Sequence, residues 1–113
     1  MNVFDAQALG GSLRMGDIVV GAAAVPDGPV KLGIRPEHLT RDDNGPFEVT
    51  IQMSEPLGAN TLLHGRLTTS ANPVTISLPG VHPVDANTPP MRFGMDPANI
   101  HLFDPKSGVR LTQ

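Results

Sequence analysis

Between residues 47 and 54 apolar and polar side chains alternate without a break. Phe47, Val49, Ile51 and Met53 stand against Glu48, Thr50, Gln52 and Ser54. A period of two marks a strand with one packed and one wet face, so all four apolar residues are expected on the buried side. Two shorter stretches repeat the pattern. Val74, Ile76 and Leu78 alternate with Thr75 and Ser77, and Met91, Phe93 and Met95 alternate with Arg92 and Gly94. Residues 61–67 follow Pro56-Leu57-Gly58, read as a turn, and are expected to return antiparallel to 47–54. Stretches 3–9, 17–22, 30–34 and 100–103, with a short 109–111, complete eight or nine short strands. No segment supports a helix longer than a turn or two.

Twelve glycines and twelve prolines punctuate these stretches. Helix interiors reject both residues, so an all-β barrel or sandwich with frequent turns is expected. Turns are read at 10–12, 25–29, 42–46, 79–80, 96–99 and 104–108, with a loop over 81–90. Asn44-Gly45 is expected to adopt positive φ. Pro36 ends the 30–34 strand, holds Arg35 extended and opens one helical turn over 36–39. Leu32-Gly33-Ile34-Arg35-Pro36-Glu37 is echoed by Phe93-Gly94-Met95-Asp96-Pro97-Ala98, and each is soon followed by His-Leu. Either any two strand-to-turn units in such a chain look alike, or the two are structurally equivalent and lie near each other. At 113 residues, a single domain over 1–113 is expected, burying about two-thirds of its unfolded surface.

Charge and composition then narrow the function. The net charge is −3 and the eight Lys and Arg are scattered, which disfavours a nucleic-acid footprint. Trp and Tyr are absent, so stacking on bases or sugar rings has little to work with. The longest near-continuous apolar run, 18–25, falls well short of the ~20 residues a bilayer span requires. With no cysteine there are no disulfides or thiolate metal sites, which fits a reducing compartment.

Candidate chemistry is sparse. The four histidines, His38, His64, His82 and His101, lack metal-ligand spacing, so no metal is expected. His64 is read as facing solvent from a strand, and His38 and His101 as capping carbonyls after turns. No Gly-x-Ser-x-Gly elbow occurs, and Asp42-Asp43 lies in a hydrated turn, so no catalytic residue is assigned. No Gly-x-x-x-x-Gly-Lys-Ser/Thr phosphate loop is present. The exception is Arg35-Pro36-Glu37-His38, which places a cation, an anion and a titratable ring on one turn. It is either an internally paired surface turn, with Arg35 held by Glu37, or a contact surface for another domain.

Gly33-Ile34-Arg35-Pro36-Glu37-His38-Leu39 resembles the hallmark of the C-terminal regulatory domain of ATPase subunits in ABC sugar importers, the group that includes the maltose, glycerol-3-phosphate and multiple-sugar systems. Glu55-Pro56-Leu57-Gly58-Ala59-Asn60-Thr61 looks like that family's hairpin. Phe93-Gly94-Met95-Asp96-Pro97 and His101-Leu102-Phe103-Asp104, then Gly108, resemble its closing strands. Met1-Asn2-Val3-Phe4 resembles the segment leaving the nucleotide-binding domain, so an excised domain or a truncated product, without its ATPase half, is expected. Leu9-Gly10-Gly11-Ser12 holds the letters of the ABC signature loop in the wrong order and is read as a decoy.

The resemblance implies an OB-like, MOP-like transport-associated (TOBE) β-barrel that is not itself an enzyme. It implies a regulatory and dimerisation role by protein contact on paired ATPase domains. The implied partners are its own ATPase domain, a second copy, the permease subunits through the ATPase domain, and a regulatory protein. Neither nucleic-acid binding nor membrane insertion is expected. ATP and Mg are implied only for the missing ATPase domain, and the implied location is the inner face of the bacterial cell membrane. Self-association is expected through faces or edges around 47–67, and domain contact at Arg35, Pro36, Glu37 and His38. The alternative is oxyanion binding, since Ser70-Ala71-Asn72 resembles a Ser-Ala-Arg-Asn ligand motif of related barrels but lacks its arginine.

Overall fold

The computed structural model describes residues 1–16, 18–85 and 87–111. The expected strand start at Asp17 and the loop position Ala86 lie outside the described residues. Among those described, ten strands form: β1 (Asn2–Leu9), β2 (Ser12–Met15), β3 (Ile18–Ala22), β4 (Gly28–Ile34), β5 (Leu39–Arg41), β6 (Phe47–Leu57), β7 (Asn60–Leu67), β8 (Pro73–Pro79), β9 (Met91–Met95) and β10 (His101–Phe103). Two 3-10 turns, Pro36–His38 and Pro97–Asn99, are the helical elements. The all-β, OB-like class expected from the sequence is the one observed.

The strands divide between two compact units, one formed by Met1–Ile34 together with the stretch from Asp96, the other by Arg35–Met95. The first unit holds an antiparallel sheet in the order β10-β4-β1-β2-β3. Its β1 alternates buried and exposed from end to end, with Phe4, Ala6 and Ala8 inward. Gly10 and Gly11 both take positive φ, +59° and +83°, and make a two-residue hairpin turn. A turn this tight starts a strand at Ser12, so β2 forms where the glycine turn was expected to continue. Leu13, Val20, Val30, Leu32, Ile34 and Leu102 complete this unit's buried apolar set with Ile100. On its outer face Lys31 ion-pairs with Asp5 across β4 and β1.

The second unit holds a five-stranded antiparallel sheet in the order β5-β9-β6-β7-β8. Its two outermost strands, β5 and β8, approach each other without pairing, so the sheet nearly closes on itself. Phe47, Val49, Ile51, Leu63, Ile76 and Phe93 are buried inside it. The alternation read over 47–54 holds as far as Ile51. There the register with β7 shifts, and Met53 turns outward to 53% exposure instead of packing with the other three. A bulge inverts the faces of every residue beyond it, and a period-two pattern cannot reveal that in advance.

Parts of two expected turns are strand instead. Gly28, Pro29 and Pro56 lie within strands. Pro29 pairs with β1 on one side, but β10 reaches only as far as Lys31 on the other. Pro56 pairs with β7, while β9 covers only Phe47 to Val49 of β6. Each proline therefore sits where one strand edge is open and a missing N–H costs no ladder bond. The Asn44-Gly45 turn forms, but without positive φ at either residue. Gly45 is required there for space instead, because a Cβ would collide with the Phe93 carbonyl.

Candidate functional site

The Arg35 corner is built by a proline. Arg35 is extended (φ −73°, ψ 149°), as the following Pro36 demands, and Pro36 leads the first 3-10 turn. The turn is closed by the His38 N–H donating to the Arg35 carbonyl at 3.0 Å. Leu39 is buried immediately afterwards and anchors β5. Arg35 and Glu37 are exposed, while Pro36 and His38 are half-buried. Among the described residues no ion pair joins Arg35 to Glu37, so the internally paired alternative is not the arrangement observed. His38 makes no carbonyl cap through Nδ1, which is buried without a hydrogen-bond partner.

A second feature lies beside this corner. The 3-10 turn packs against β8, and a cleft of about 330 Å³ opens there. Glu37, Leu39 and Arg41 line one side, and Ser77, Leu78 and His82 the other. The leucines are buried and form an apolar floor. The His82 ring is oriented by its Nε2–H, which donates to the Pro79 carbonyl at 2.8 Å. Sequence reading missed Arg41, Ser77 and His82 as neighbours. They meet because the two ends of one sheet curl together, a long-range event with no local signal.

The remaining candidates are absorbed into structure. His64 lies half-buried on β7, with Nε2 3.2 Å from Glu55 Oε1 across the hairpin. Leu9-Gly10-Gly11-Ser12 forms a hairpin turn followed by a strand, so no helix N-terminus stands there to meet a phosphate. At Ser70-Ala71-Asn72, Ala71 takes φ +59° and its N–H donates to the Leu67 carbonyl. Its carbonyl accepts from Arg66 Nη1 at 2.9 Å, so these groups serve the turn itself. Among the described residues no three of His, Cys, Asp and Glu cluster as a metal site. No helix among them is long and apolar enough to cross a membrane.

Comparison with known proteins adds the family. A model described as the TOBE domain matches residues 32–103, which includes both proline-led turns. The chain is 50% identical over 93 residues to the sn-glycerol-3-phosphate import ATP-binding protein UgpC of Ruegeria sp. (strain TM1040), covering 82% of this chain and 25% of that protein. It is 38% identical over 114 residues to the UgpC protein of Ruegeria pomeroyi, covering 100% of this chain and 32% of that one. The sulfoquinovosyl glycerol transport ATP-binding protein SmoE of Agrobacterium fabrum is 40% identical over 84 residues, 66% of this chain and 21% of its own length. The chain thus spans about a quarter to a third of the length of the UgpC relatives. The family model covers well over half of the all-β chain described above, and this chain belongs to the TOBE domain family.

Proposed function

We propose that this chain is a non-catalytic regulatory and dimerisation domain of the ATPase subunit of an ABC importer for carbohydrates or related polyol compounds. It works by protein contact on paired ATPase domains at the cytoplasmic face of the membrane. The observation that carries this reading is the similarity to importer ATP-binding proteins along the whole chain. A domain that biases open and closed ATPase pairs must make different contacts in the two states. The exposed Arg35 and Glu37, neither held by an ion pair within the described residues, suit such a surface.

Self-association draws on the β6–β7 hairpin. Beyond Val49, β6 is no longer paired with β9, and Met53 and Leu57 are 53% and 54% exposed on its far half. Pro56 interrupts that open edge, so side-chain contacts carry the association rather than strand pairing. Sedimentation of the chain is expected to show a concentration-dependent dimer that Met53→Ser with Leu57→Ser reduces to monomer. A wild-type chain that stays monomeric at high concentration sinks the dimerisation part. In the full-length parent, a double substitution of Arg35 and Glu37 tests the corner, and unchanged transport and regulation would return it to scaffold. A parent gene without a phosphate loop and signature loop would overturn the ATPase assignment.

A further inference from the structure

Asn44 is the sequence's one asparagine followed directly by glycine. Glycine has no side chain to obstruct the approach of its own amide nitrogen to the preceding Asn Cγ. Both residues lie in the turn between β5 and β6, with Asn44 exposed and Gly45 buried. The nitrogen that would attack is held, since the Gly45 N–H donates to the Asp42 carbonyl at 2.9 Å. The Asn44 N–H donates to Asp42 Oδ1, also at 2.9 Å. Downstream, the Gly45 carbonyl accepts from Arg92 Nη1 at 3.1 Å, and the Gly45 Cα faces the Phe93 carbonyl with no room for a Cβ. The Asn44-Gly45 peptide is thus pinned on both sides.

We infer that Asn44 is a latent deamidation site, chemically primed by Gly45 and held back by the Asp42 turn. The reaction needs no reagent but water. The Gly45 amide nitrogen gives up its proton to solvent base and attacks Asn44 Cγ. A bond forms between that nitrogen and Cγ, the Cγ–Nδ2 bond breaks, and Nδ2 takes up a proton and leaves as ammonia. Water then opens the cyclic imide at either carbonyl to give aspartate or isoaspartate. The net change is one water consumed and one ammonia released. Attack requires the Gly45 N–H bond to the Asp42 carbonyl to open, in a turn that the Asp42 Oδ1 bond to the Asn44 N–H helps hold shut, so the folded rate is the unfolded rate scaled by the population of that local opening. The isoaspartate product adds a methylene to the backbone where Gly45 has no space against β9. It therefore damages the junction of β5, β6 and β9.

The test follows Asn44 by peptide mapping during incubation of the full chain in mildly alkaline buffer, natively and in urea at the same pH. Native Asn44 is expected to deamidate at least about tenfold more slowly than in urea. In urea it should outpace Asn60, Asn72, Asn87 and Asn99. Asp42→Ala, with its strand content verified by circular dichroism, should speed the native reaction severalfold, while Asp42→Asn, which keeps an acceptor oxygen, should stay slow. Equal native and urea rates for the wild type, or a folded Asp42→Ala no faster than wild type, would overturn the inference.

Discussion

The two proline-led turns are close structural copies that use their leading residues differently. Each follows a strand ending in glycine and an apolar residue, and each closes one backbone bond, from His38 to Arg35 and from Asn99 to Asp96. Each delivers a short strand in matching register. Thr40 pairs with Gly94 in the second unit, and His101 pairs with Gly33 in the first. A strand leaving one unit therefore feeds the edge of the other unit's sheet, in both directions. The leading side chains differ. Asp96 Oδ1 accepts the Ala98 N–H at 2.9 Å and caps its own turn, whereas Arg35 makes no side-chain cap and stays exposed. Architecture explains what the copies share, and the proposed contact role of Arg35 rests on their difference.

If the copies are equivalent, their central apolar residues should matter alike. Leu32 and Phe93 occupy the same place in the echo and are both fully buried. Phe93→Ala is expected to cost about 3–5 kcal/mol, and Leu32→Ala about 2–5 kcal/mol, in urea unfolding. A Leu32→Ala chain as stable as wild type would break the equivalence. The glycines of the turns after the two short strands give the next contrast. At Gly45 an added Cβ meets the Phe93 backbone, which cannot swing aside, so Gly45→Ala should cost about 2 kcal/mol or more. At Gly108 the space is open and only φ +74° opposes a side chain, so Gly108→Ala should cost about 1 kcal/mol. Reversal of that order would show that conformation, not contact, governs both turns.

The parts legible in the sequence were those set by local period and turn chemistry. Phe47 to Ile51, the alternating β8 and β9, and the extended Arg35 ahead of Pro36 all follow from neighbours in the chain. The strands β2 and β5, with four and three residues, are too short to show a period and exist because a partner strand lies beside them. Met53 escaped because the bulge at Ile51 is a property of the pairing with β7. The Arg35 corner was visible as a motif, but its lack of an internal ion pair was not. The Arg41 and His82 wall of the cleft depends on sheet curvature, which no local pattern encodes.

The difference between the leading residues makes the next prediction. Asp96→Ala removes a side-chain cap and should cost about 0.5–1 kcal/mol in thermal or urea unfolding. Arg35→Ala removes an exposed side chain without an ion-pair partner among the described residues, and should stay within about 0.5 kcal/mol of wild type. If Arg35→Ala proves the costlier of the two, Arg35 supports the fold and loses its standing as a contact residue.

The smallest effect separates the aspartate-led turns that follow the two short strands. After β5, Asp42 Oδ1 accepts the Asn44 N–H; after β10, Asp104 Oδ1 accepts those of Ser107 and Lys106, at 3.0 and 2.8 Å. The Ser107 amide, then the Lys106 amide, holds the Asp104 carboxyl below its ordinary value by favouring the ionised form. A carboxylate lowered in the folded state stabilises above its unfolded value, about 4, and that contribution is lost as pH falls through the lower folded value. Because Asp104 is solvated, the loss is local: the closing turn loosens while the sheets persist. In an acid titration followed by NMR, the Lys106 and Ser107 amide resonances should shift together with a midpoint below the ordinary aspartate range. Asp104→Asn should abolish that titration. A midpoint at or above the ordinary range would mean that the two amides do not hold the charged carboxylate.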